Sequence, residues 1–362
     1  MIYCIDPKCE RRENSAAAEI CAGCGSPLQI QERYQLVRPL RPLDAPGNAQ
    51  VFEVKDLRCS PLAGDRYKVL KASRRSSLTM VKLLQQEAKT LKALRHAGLP
   101  PIEPDDGYFA IELPRRKKPI HCLVMQKVPG ENLQVQVERQ GPAKPEQVFA
   151  WLLQLLAVLD YLHQRRYFHQ DIKPSNIMLR PDGQLVLIDF GTVYEVSYTV
   201  IDRLLGRDVD GMGIFSPGYT APEQMMGRTV PQSDLYALGR TAVFLLTGRH
   251  PITLEVDSTT GALLWRDEAP AAPESLVRWI DYLMAPAFWQ RPPNVAFVLE
   301  HLGPGLAMPP VKSAPTDPPP QRWLKLLNVA LFLALLITTT LWIQRYWAVQ
   351  QRIPENDAIR VD

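Results

Sequence analysis

The sequence lacks a strong excess of charge of either sign. Its 42 lysine and arginine residues nearly balance 38 aspartate and glutamate residues, which leaves a formal net charge of +4 over 362 residues. Nucleic-acid-binding domains usually carry a concentrated basic surface. The one dense basic run, RRKKP at 115–119, is predicted to be the solvated tip of a hairpin. We therefore expect no nucleic-acid partner.

An apolar run is missing from the amino terminus, which begins MIYCIDPKCERRENS. Without the apolar core of a signal peptide, this part of the chain is expected to stay in the cytosol. Disulfide bonds are rare in that compartment, so the six cysteines favour metal ligation or free thiols. Cys59 and Cys122 each stand alone and are interpreted as structural thiols.

The other four cysteines lie in the first 24 residues, in the pattern C-x4-C followed by C-x2-C-G. Two cysteine pairs on tight turns can close a tetrahedral thiolate site for Zn²⁺. A segment of this size cannot bury enough core to fold alone, so the metal would supply folding energy. We therefore predict a zinc-ribbon-like module at residues 1–30, called the four-cysteine module below. Its predicted ligands are Cys4, Cys9, Cys21 and Cys24.

Near the carboxyl end, the run LLNVALFLALLITTTLWI at 326–343 contains no charged residue. At about 1.5 Å per residue it reaches roughly 27 Å, close to the thickness of a bilayer core. Aromatic residues flank the run, as they do at membrane interfaces. We predict one transmembrane helix at 323–343, after a proline-rich linker at 304–322 and before a short polar tail at 344–362.

Between these ends, a strand-rich region is followed by a helix-rich one. The segments at 51–56 and 66–73 alternate like strands, and apolar residues in 79–96 and 145–164 recur at helical spacing. Asp182-Gly183 marks the turn of a later hairpin. The fold class is therefore predicted to be α+β, with a small sheet lobe, a larger helical lobe and a cleft between them.

Two acids, an amide and a lysine cluster in the segment HQDIKPSNIML and the DFG that follows it. Transfer of a phosphoryl group from a nucleotide to a hydroxyl needs one carboxylate to orient the hydroxyl and oxygen ligands to hold Mg²⁺. Asp171 and Asn176 are close enough in sequence for one tight loop to converge them, and Asp189 follows a predicted strand. Lys173 can reach a terminal phosphate from the same loop.

These motifs resemble those of the eukaryotic-type protein kinases, which are bilobal. His169-Gln170-Asp171 and Asn176 match the catalytic loop of that family, and Asp189-Phe190-Gly191 matches its metal-binding triplet. Ala221-Pro222-Glu223 matches the end of its activation segment. Arg291 falls where the family pairs an arginine with that glutamate. The likeness covers about residues 34–303, the predicted kinase domain.

The resemblance also implies a nucleotide site. Lys71 in VLKA matches the strand lysine that grips the α- and β-phosphates, and Glu87 matches its ion-pair partner on the C helix. Met125 falls at the gatekeeper position beside the adenine. Lys173 is the residue type that Ser/Thr-specific members carry. The four-cysteine module and the apolar run are similar to features of bacterial Ser/Thr kinases, the cyanobacterial four-Cys group above all.

The glycine-rich loop that covers the nucleotide in this family is largely missing. The segment LDAPGNAQV at 43–51 aligns with it, so that Leu43 and Val51 flank the nucleotide and Gly47 lies off-position. The signature glycines become Asp44, Pro46 and Ala49. Because glycines let backbone N–H groups approach phosphates closely, and proline has no N–H group, we expect weaker ATP binding or slower transfer but not loss of activity.

The second departure is Gln170, where the family has an arginine that pairs with a phosphate on the activation loop. Glutamine cannot form that charged fork. The change is therefore predicted to affect a switch and to leave the chemistry of Asp171 intact. Ser197 and Thr199 lie on this segment, and we hypothesise that their phosphorylation is not needed for activity. Ser216 falls where the family has a threonine that contacts the catalytic aspartate.

Together these features predict a Ser/Thr protein kinase that uses ATP, Mg²⁺ and structural Zn²⁺ and phosphorylates protein substrates. Cytosolic ATP requires the kinase lobes on the cytoplasmic side of the cell (inner) membrane, with a single span. A pseudokinase that senses nucleotide as a scaffold is the alternative, favoured by the altered loop. A third interpretation makes the four-cysteine module a docking unit. The oligomeric state, a dimer included, stays open.

Overall fold

The computed structural model describes residues 1–44, 49–60, 66–74, 77–104, 106–192, 194–195 and 215–302. Within them a sheet-rich lobe precedes a helix-rich lobe, as the α+β prediction requires. The predicted linker at 304–322, the transmembrane helix at 323–343 and the tail at 344–362 lie outside these residues. In the described ranges, no helix is both long enough and apolar enough to cross a bilayer.

The sheet of the first lobe has six antiparallel strands in the order β3-β4-β5-β6-β8-β7. Its strands are β3 (Gln29–Ile30), β4 (Tyr34–Pro39), β5 (Ala49–Asp56), β6 (Tyr67–Ser73), β7 (Gly107–Ile111) and β8 (Ile120–Gln126). The two sequence segments predicted as strands are β5 and β6. Their alternating residues bury Phe52, Val54 and Leu70 in the core of the lobe.

The four-cysteine module is joined to this sheet. Its strands β1 (Ile2–Tyr3) and β2 (Glu13–Asn14) pair with each other, while its third strand is β3 of the six-stranded sheet. Ile5 is buried in the same core as Phe52. The Arg116 guanidinium lies 3.0 Å from the Asp6 carboxylate, so one residue of the predicted solvated basic tip is buried against the module. The other three basic residues of that tip are exposed.

A buried group of charges lies where the chain passes from the module into the lobe. The Arg33 guanidinium lies 2.6 Å from Asp56 and 3.1 Å from Asp106, and the Lys68 ammonium lies 3.1 and 2.7 Å from the same two carboxylates. Tyr34 donates a hydrogen bond to Asp106 at 2.6 Å. Such a closed set of two cations and two anions is tolerated in a core because each charge keeps a partner.

Helix α1 (Leu78–Ala93) packs behind the sheet. The Ser77 side chain caps it by accepting a hydrogen bond from the Met80 N–H. Leu84, Ala88 and Leu91 form its buried face, as their spacing predicts. Val81, predicted on the same face, is only half-buried, because it lies on the edge of that stripe.

The second lobe is mainly helical. Its helices are α2 (Leu133–Gln140), α3 (Pro145–Gln164), α4 (Pro222–Met225), α5 (Pro231–Thr247), α6 (Glu274–Leu283) and α7 (Val295–His301). Helix α3 begins at Pro145 and buries the predicted apolar face, with Leu156, Leu159 and Leu162 among its most buried residues. Helix α5 is buried on nearly all sides, so it forms the centre of this lobe.

Short strands line the side of the helical lobe that faces the sheet. They are β9 (Glu131–Asn132), β10 (Tyr167–Phe168), β11 (Ile177–Leu179), β12 (Leu185–Leu187) and β13 (Tyr194–Glu195). The predicted hairpin is β11–β12, and Gly183 at its turn has a positive φ of 82°. The loops before β11 and after β12 carry the acidic residues that the sequence singled out.

Candidate active site

A lysine, a glutamate and an aspartate from three elements meet at the edge of the cleft. The Lys71 ammonium on β6 lies 2.5 Å from the Glu87 carboxylate of α1 and 2.9 Å from the Asp189 carboxylate after β12. Burial opposes the charge on Lys71, but the two carboxylates outweigh burial and raise its pKa. The predicted pair of Lys71 and Glu87 is therefore formed.

The turn after β12 aims Asp189 into the cleft. Asp189 has a φ of 70°, a left-handed conformation that costs energy for a residue with a side chain. The neighbouring Phe190 holds the turn in place, because its ring is fully buried and its N–H donates to the Glu87 carboxylate at 3.2 Å. The ring also meets His169 edge-to-face at 4.9 Å.

Asp171 receives hydrogen bonds from three side chains. Lys173 donates to its carboxylate at 2.8 Å and Asn176 at 2.9 Å, while the Ser216 hydroxyl donates at 2.5 Å. Lys173 also donates to the Ser216 oxygen at 2.7 Å. The contact between Ser216 and Asp171 that the family resemblance implies is thus present. The network fixes the orientation of a carboxylate that is only 6% exposed.

Asp234, near the start of α5, holds the loop that carries Asp171. Its carboxylate accepts hydrogen bonds from the His169 N–H at 2.9 Å and the Gln170 N–H at 2.8 Å. The His163 ring lies 2.9 Å from the same carboxylate. Burial opposes ionisation of Asp234, but His163 outweighs burial and lowers its pKa. These contacts hold Gln170 at a φ of 66°.

Two oxygens fit a divalent cation. Within the described residues, the Asn176 side-chain oxygen is buried and has no hydrogen-bond partner, although buried acceptors are normally satisfied. The Asp189 carboxylate is the second donor, with one third of its side chain exposed. Amide and carboxylate oxygens are the ligands that Mg²⁺ prefers, so Asn176 and Asp189 could hold it.

Arg41 adds positive charge near Asp189, although the sequence analysis missed this residue. Burial opposes ionisation of Asp189, but the charge of Lys71, and after it those of Arg41 and Lys173, lower the pKa of that carboxyl. Arg41 precedes the nucleotide-covering segment and matches no motif, so the sequence held no signal for it. An anionic phosphate near Asp189 would meet three cations.

The residues predicted to surround the base are placed by strand register. Val51 on β5 pairs with Lys71 on β6, and Val69 pairs with Met125 on β8. Met125 is buried in the core shared with α1. Leu43 is half-buried, whereas Gly47 and the neighbouring Pro46 lie outside the described residues.

The side-chain oxygen and the carbonyl of Gln170 accept hydrogen bonds from neutral groups. Its side-chain oxygen accepts a hydrogen bond from the Thr229 hydroxyl at 3.1 Å, and its carbonyl accepts one from the Gln224 amide at 2.7 Å. No charged fork is present at this point of the described chain. Ser197 and Thr199, the candidate phosphorylation sites, lie outside the described residues.

Glu223 and Arg291 form the long-range pair that the motifs predict. The Arg291 guanidinium donates to both oxygens of the Glu223 carboxylate, at 2.7 and 3.1 Å. It donates further to the backbone oxygens of Gln232, Ala285 and Pro286. The Arg291 side chain is fully buried. This pair anchors the end of the activation segment to the helical lobe.

The four cysteines of the module converge as predicted. All four are buried and their sulfurs lie within 4.8 Å of one another. The Cys4–Cys24 and Cys9–Cys21 sulfur pairs are 3.5 and 3.6 Å apart, and tetrahedral Zn–S bonds of about 2.3 Å would place sulfurs about 3.8 Å apart. The four thiols therefore fit a zinc ion.

Backbone N–H groups favour a thiolate at one corner of this cluster. Burial opposes ionisation of Cys21, but the N–H groups of Cys24 and Gly23 outweigh burial and lower its pKa to about 6. Gly25 closes the turn by donating its N–H to the Cys21 carbonyl at 2.9 Å, with a φ of 74°.

Known proteins are similar to this chain in sequence. The family model for the protein kinase domain matches residues 50–274. Serine/threonine-protein kinase C of Synechocystis sp. is 45% identical over 160 residues, which is 44% of this chain and 30% of the relative. Serine/threonine-protein kinase B of the same organism is 31% identical over 283 residues, 73% of this chain and 45% of the relative. Serine/threonine-protein kinase PknA of Nostoc sp. is 39% identical over 164 residues, 45% of this chain and 29% of the relative. The chain thus spans less than half the length of these relatives.

Proposed function

Because the chain belongs to the protein kinase family, we propose that it is an ATP-dependent protein serine/threonine kinase. The observation that carries the proposal is the set of hydrogen bonds on Asp171. A carboxylate held by Lys173, Asn176 and Ser216 is preorganised to orient an acceptor hydroxyl and to accept its proton. Such positioning is the main catalytic task in phosphoryl transfer.

We assign the remaining roles from charge and geometry. Lys71 and Lys173 offset the charge of the phosphates, and Glu87 holds Lys71 in place. Asn176 and Asp189 hold Mg²⁺, which when bound neutralises negative charge that develops on the phosphates. Leu43, Val51 and Met125 contact the base. The serine and threonine names of the relatives and the lysine at position 173 support serine and threonine as acceptors.

The proposal has a direct test in the choice of acceptor. The full chain, purified in mild detergent, is incubated with γ-labelled ATP, Mg²⁺ and matched peptides that differ only in a central Ser, Thr or Tyr. We expect label on the Ser and Thr peptides and none on the Tyr peptide. Label on the Tyr peptide alone, or release of labelled phosphate without labelled peptide, would contradict the proposal.

A nucleotide-binding scaffold is the second candidate. Asp44 and Ala49 replace two of the glycines that usually cover the phosphates, which favours binding without efficient transfer. The formed pair of Lys71 and Glu87 and the intact network on Asp171 favour catalysis. Binding of Mg·ATP without any transfer to the peptides is the result that a scaffold would give.

Activity is expected to be independent of phosphate on the activation segment. Replacing Ser197 and Thr199 with Ala should leave the rate of peptide phosphorylation within about twofold of the wild-type rate, because neutral Gln170 cannot pair with a phosphate as arginine does. The Ser216→Ala variant serves as the control on the same segment. It should lower the rate, since Ser216 contacts both Asp171 and Lys173. Loss of all activity in the double variant would contradict the hypothesis.

We also propose that the four-cysteine module binds structural zinc. Elemental analysis of the purified chain is expected to find about one zinc ion per chain. Cys4→Ser and Cys21→Ser should each lose the ion and lower the melting temperature, because metal binding and folding of so small a module are coupled. The Cys59→Ser variant is the control and should keep the ion. Zinc retained by both ligand variants would exclude this site.

We further propose that residues 323–343 anchor the chain in the cell membrane with the kinase lobes, residues 34–303, in the cytoplasm. The uncharged run and its flanking aromatic residues support this. Membrane fractionation tests it. The full chain should remain in the membrane pellet after an alkaline carbonate wash, whereas a chain with two Lys replacements at Leu333 and Leu335 should be released.

A further inference from the structure

The four-cysteine module contacts the strand that leaves the nucleotide-covering segment. Arg12 of the module donates from Nε to the Cys4 carbonyl at 2.9 Å and from Nη1 to the Gln50 side-chain oxygen at 2.9 Å. Cys4 donates its own N–H to the Arg12 carbonyl at 2.8 Å. One guanidinium therefore joins a predicted metal ligand to β5 of the sheet lobe.

Gln50 continues this connection to the start of the segment. Its side-chain nitrogen donates to the Leu43 carbonyl at 3.0 Å. Arg74, from the end of β6, donates to the same carbonyl. Leu43 is the first residue of the segment that covers the nucleotide and Gln50 precedes its last residue, so this hydrogen bond joins the described ends of the segment.

Burial makes the connection rigid. Arg12 is 9% exposed and Gln50 is 8% exposed, and the Arg12 guanidinium lies over the fully buried Phe52 ring at 5.3 Å. A hydrogen bond shielded from water is stronger than an exposed one and costs more to break.

We propose that Arg12 and Gln50 are positioning residues for the nucleotide: they hold Leu43 in the position from which it contacts the base of Mg·ATP. The proposal rests on the proposed function, which places Leu43 against the base. Backbone N–H groups that bind the phosphates usually stabilise such a loop. Here the four-cysteine module holds Leu43, the first residue of the segment.

A second contact between the module and the lobe provides the matched control. The Arg116 guanidinium lies 3.0 Å from the Asp6 carboxylate, and both side chains are largely buried. This ion pair does not involve Leu43 or Gln50. Loss of the Arg116 contact therefore weakens docking of the module without breaking the connection to the segment.

The test measures the affinity for Mg·ATP, by isothermal titration calorimetry, in the full chain and in Arg12→Ala, Gln50→Glu and Arg116→Ala. Gln50→Glu keeps an acceptor for Arg12 but removes the donor to Leu43. We expect Arg12→Ala and Gln50→Glu to raise the Kd about tenfold, the effect of losing one buried hydrogen bond. KM for ATP should rise in parallel while kcat changes little, and the zinc content of both variants should equal that of the wild type.

Two results would overturn the proposal. One is a wild-type Kd in Gln50→Glu, whatever Arg12→Ala does. The other is an equal rise of the Kd in Arg116→Ala, which would show a general effect of docking. These results are distinct from failure of the kinase activity. A wild-type chain that binds Mg·ATP but transfers no phosphate would refute the proposed function and leave the Kd comparison valid.

Discussion

Replacing Asp171 with Asn is expected to lower the rate of phosphoryl transfer about 10³-fold, the usual contribution of a general base, while the Kd for Mg·ATP stays near the wild-type value. Asn keeps the shape of the side chain and one oxygen that Lys173 or Ser216 can donate to. It cannot accept the proton of an acceptor hydroxyl. Single-turnover transfer from labelled ATP gives the rate, and calorimetry gives the Kd.

An exposed acid outside the network serves as the control. Asp182 lies at the turn of the β11–β12 hairpin and its side chain is 55% exposed. Asp182→Asn should leave both the transfer rate and the Kd unchanged. If Asp171→Asn kept more than a tenth of the wild-type rate, Asp171 would not be the group that accepts the proton.

Replacing Arg291 with Met is expected to lower the free energy of unfolding by about 3–5 kcal/mol, the cost of leaving one charge of a buried pair without its partner. The change removes both hydrogen bonds to the Glu223 carboxylate and three to backbone oxygens. Urea unfolding followed by tryptophan fluorescence measures the loss, because Trp265 and Trp279 are buried in the same lobe.

Arg278 provides the comparison for this prediction. It pairs with Glu274 one helical turn earlier on α6, and both side chains are more than half exposed. Water and salt screen such a pair, so Arg278→Met should leave the unfolding curve unchanged. A similar loss in the two variants would mean that the Arg291 effect arises from the methionine rather than from the buried pair.

Much of the fold follows from local patterns in the sequence. Helix α3 begins at Pro145 and ends at Gln164, as apolar spacing and an amino-terminal proline predict. The Asp182-Gly183 turn likewise indicated the β11–β12 hairpin. Period and turn chemistry act over a few residues, so one sequence suffices to recognise them.

The relation of the four-cysteine module to the lobe did not follow from the sequence. Residues 1–30 were interpreted as a separate unit, yet β3 pairs with β4 and Ile5 joins the core of the lobe. The partners of Arg12 and Arg116 lie far away in sequence, at Gln50 and Asp6. Hydrophobic period carries no information about such long-range pairs.

Some residues of the candidate site could likewise be predicted from the sequence, and others could not. The family resemblance identified Lys71, Glu87 and Asp189, which the fold brings within hydrogen-bonding distance. Arg41 belongs to no motif, and Gln50 occupies a position that the glycine-rich motif leaves unspecified, so neither was identified from the sequence. The motifs therefore predict which charged side chains come together. The residues that influence the pKa and the position of those side chains are found only from the structure.

We propose that this cleft transfers phosphate despite the altered loop and Gln170. The most direct measurement follows label from γ-labelled ATP into a Ser/Thr peptide, with the full chain and Asp171→Asn side by side and the Mg·ATP-induced shift in melting temperature recorded for both. We expect a thermal shift in both proteins and labelled peptide only with the wild type. A thermal shift in both without label in either would contradict catalysis and indicate a nucleotide-binding scaffold.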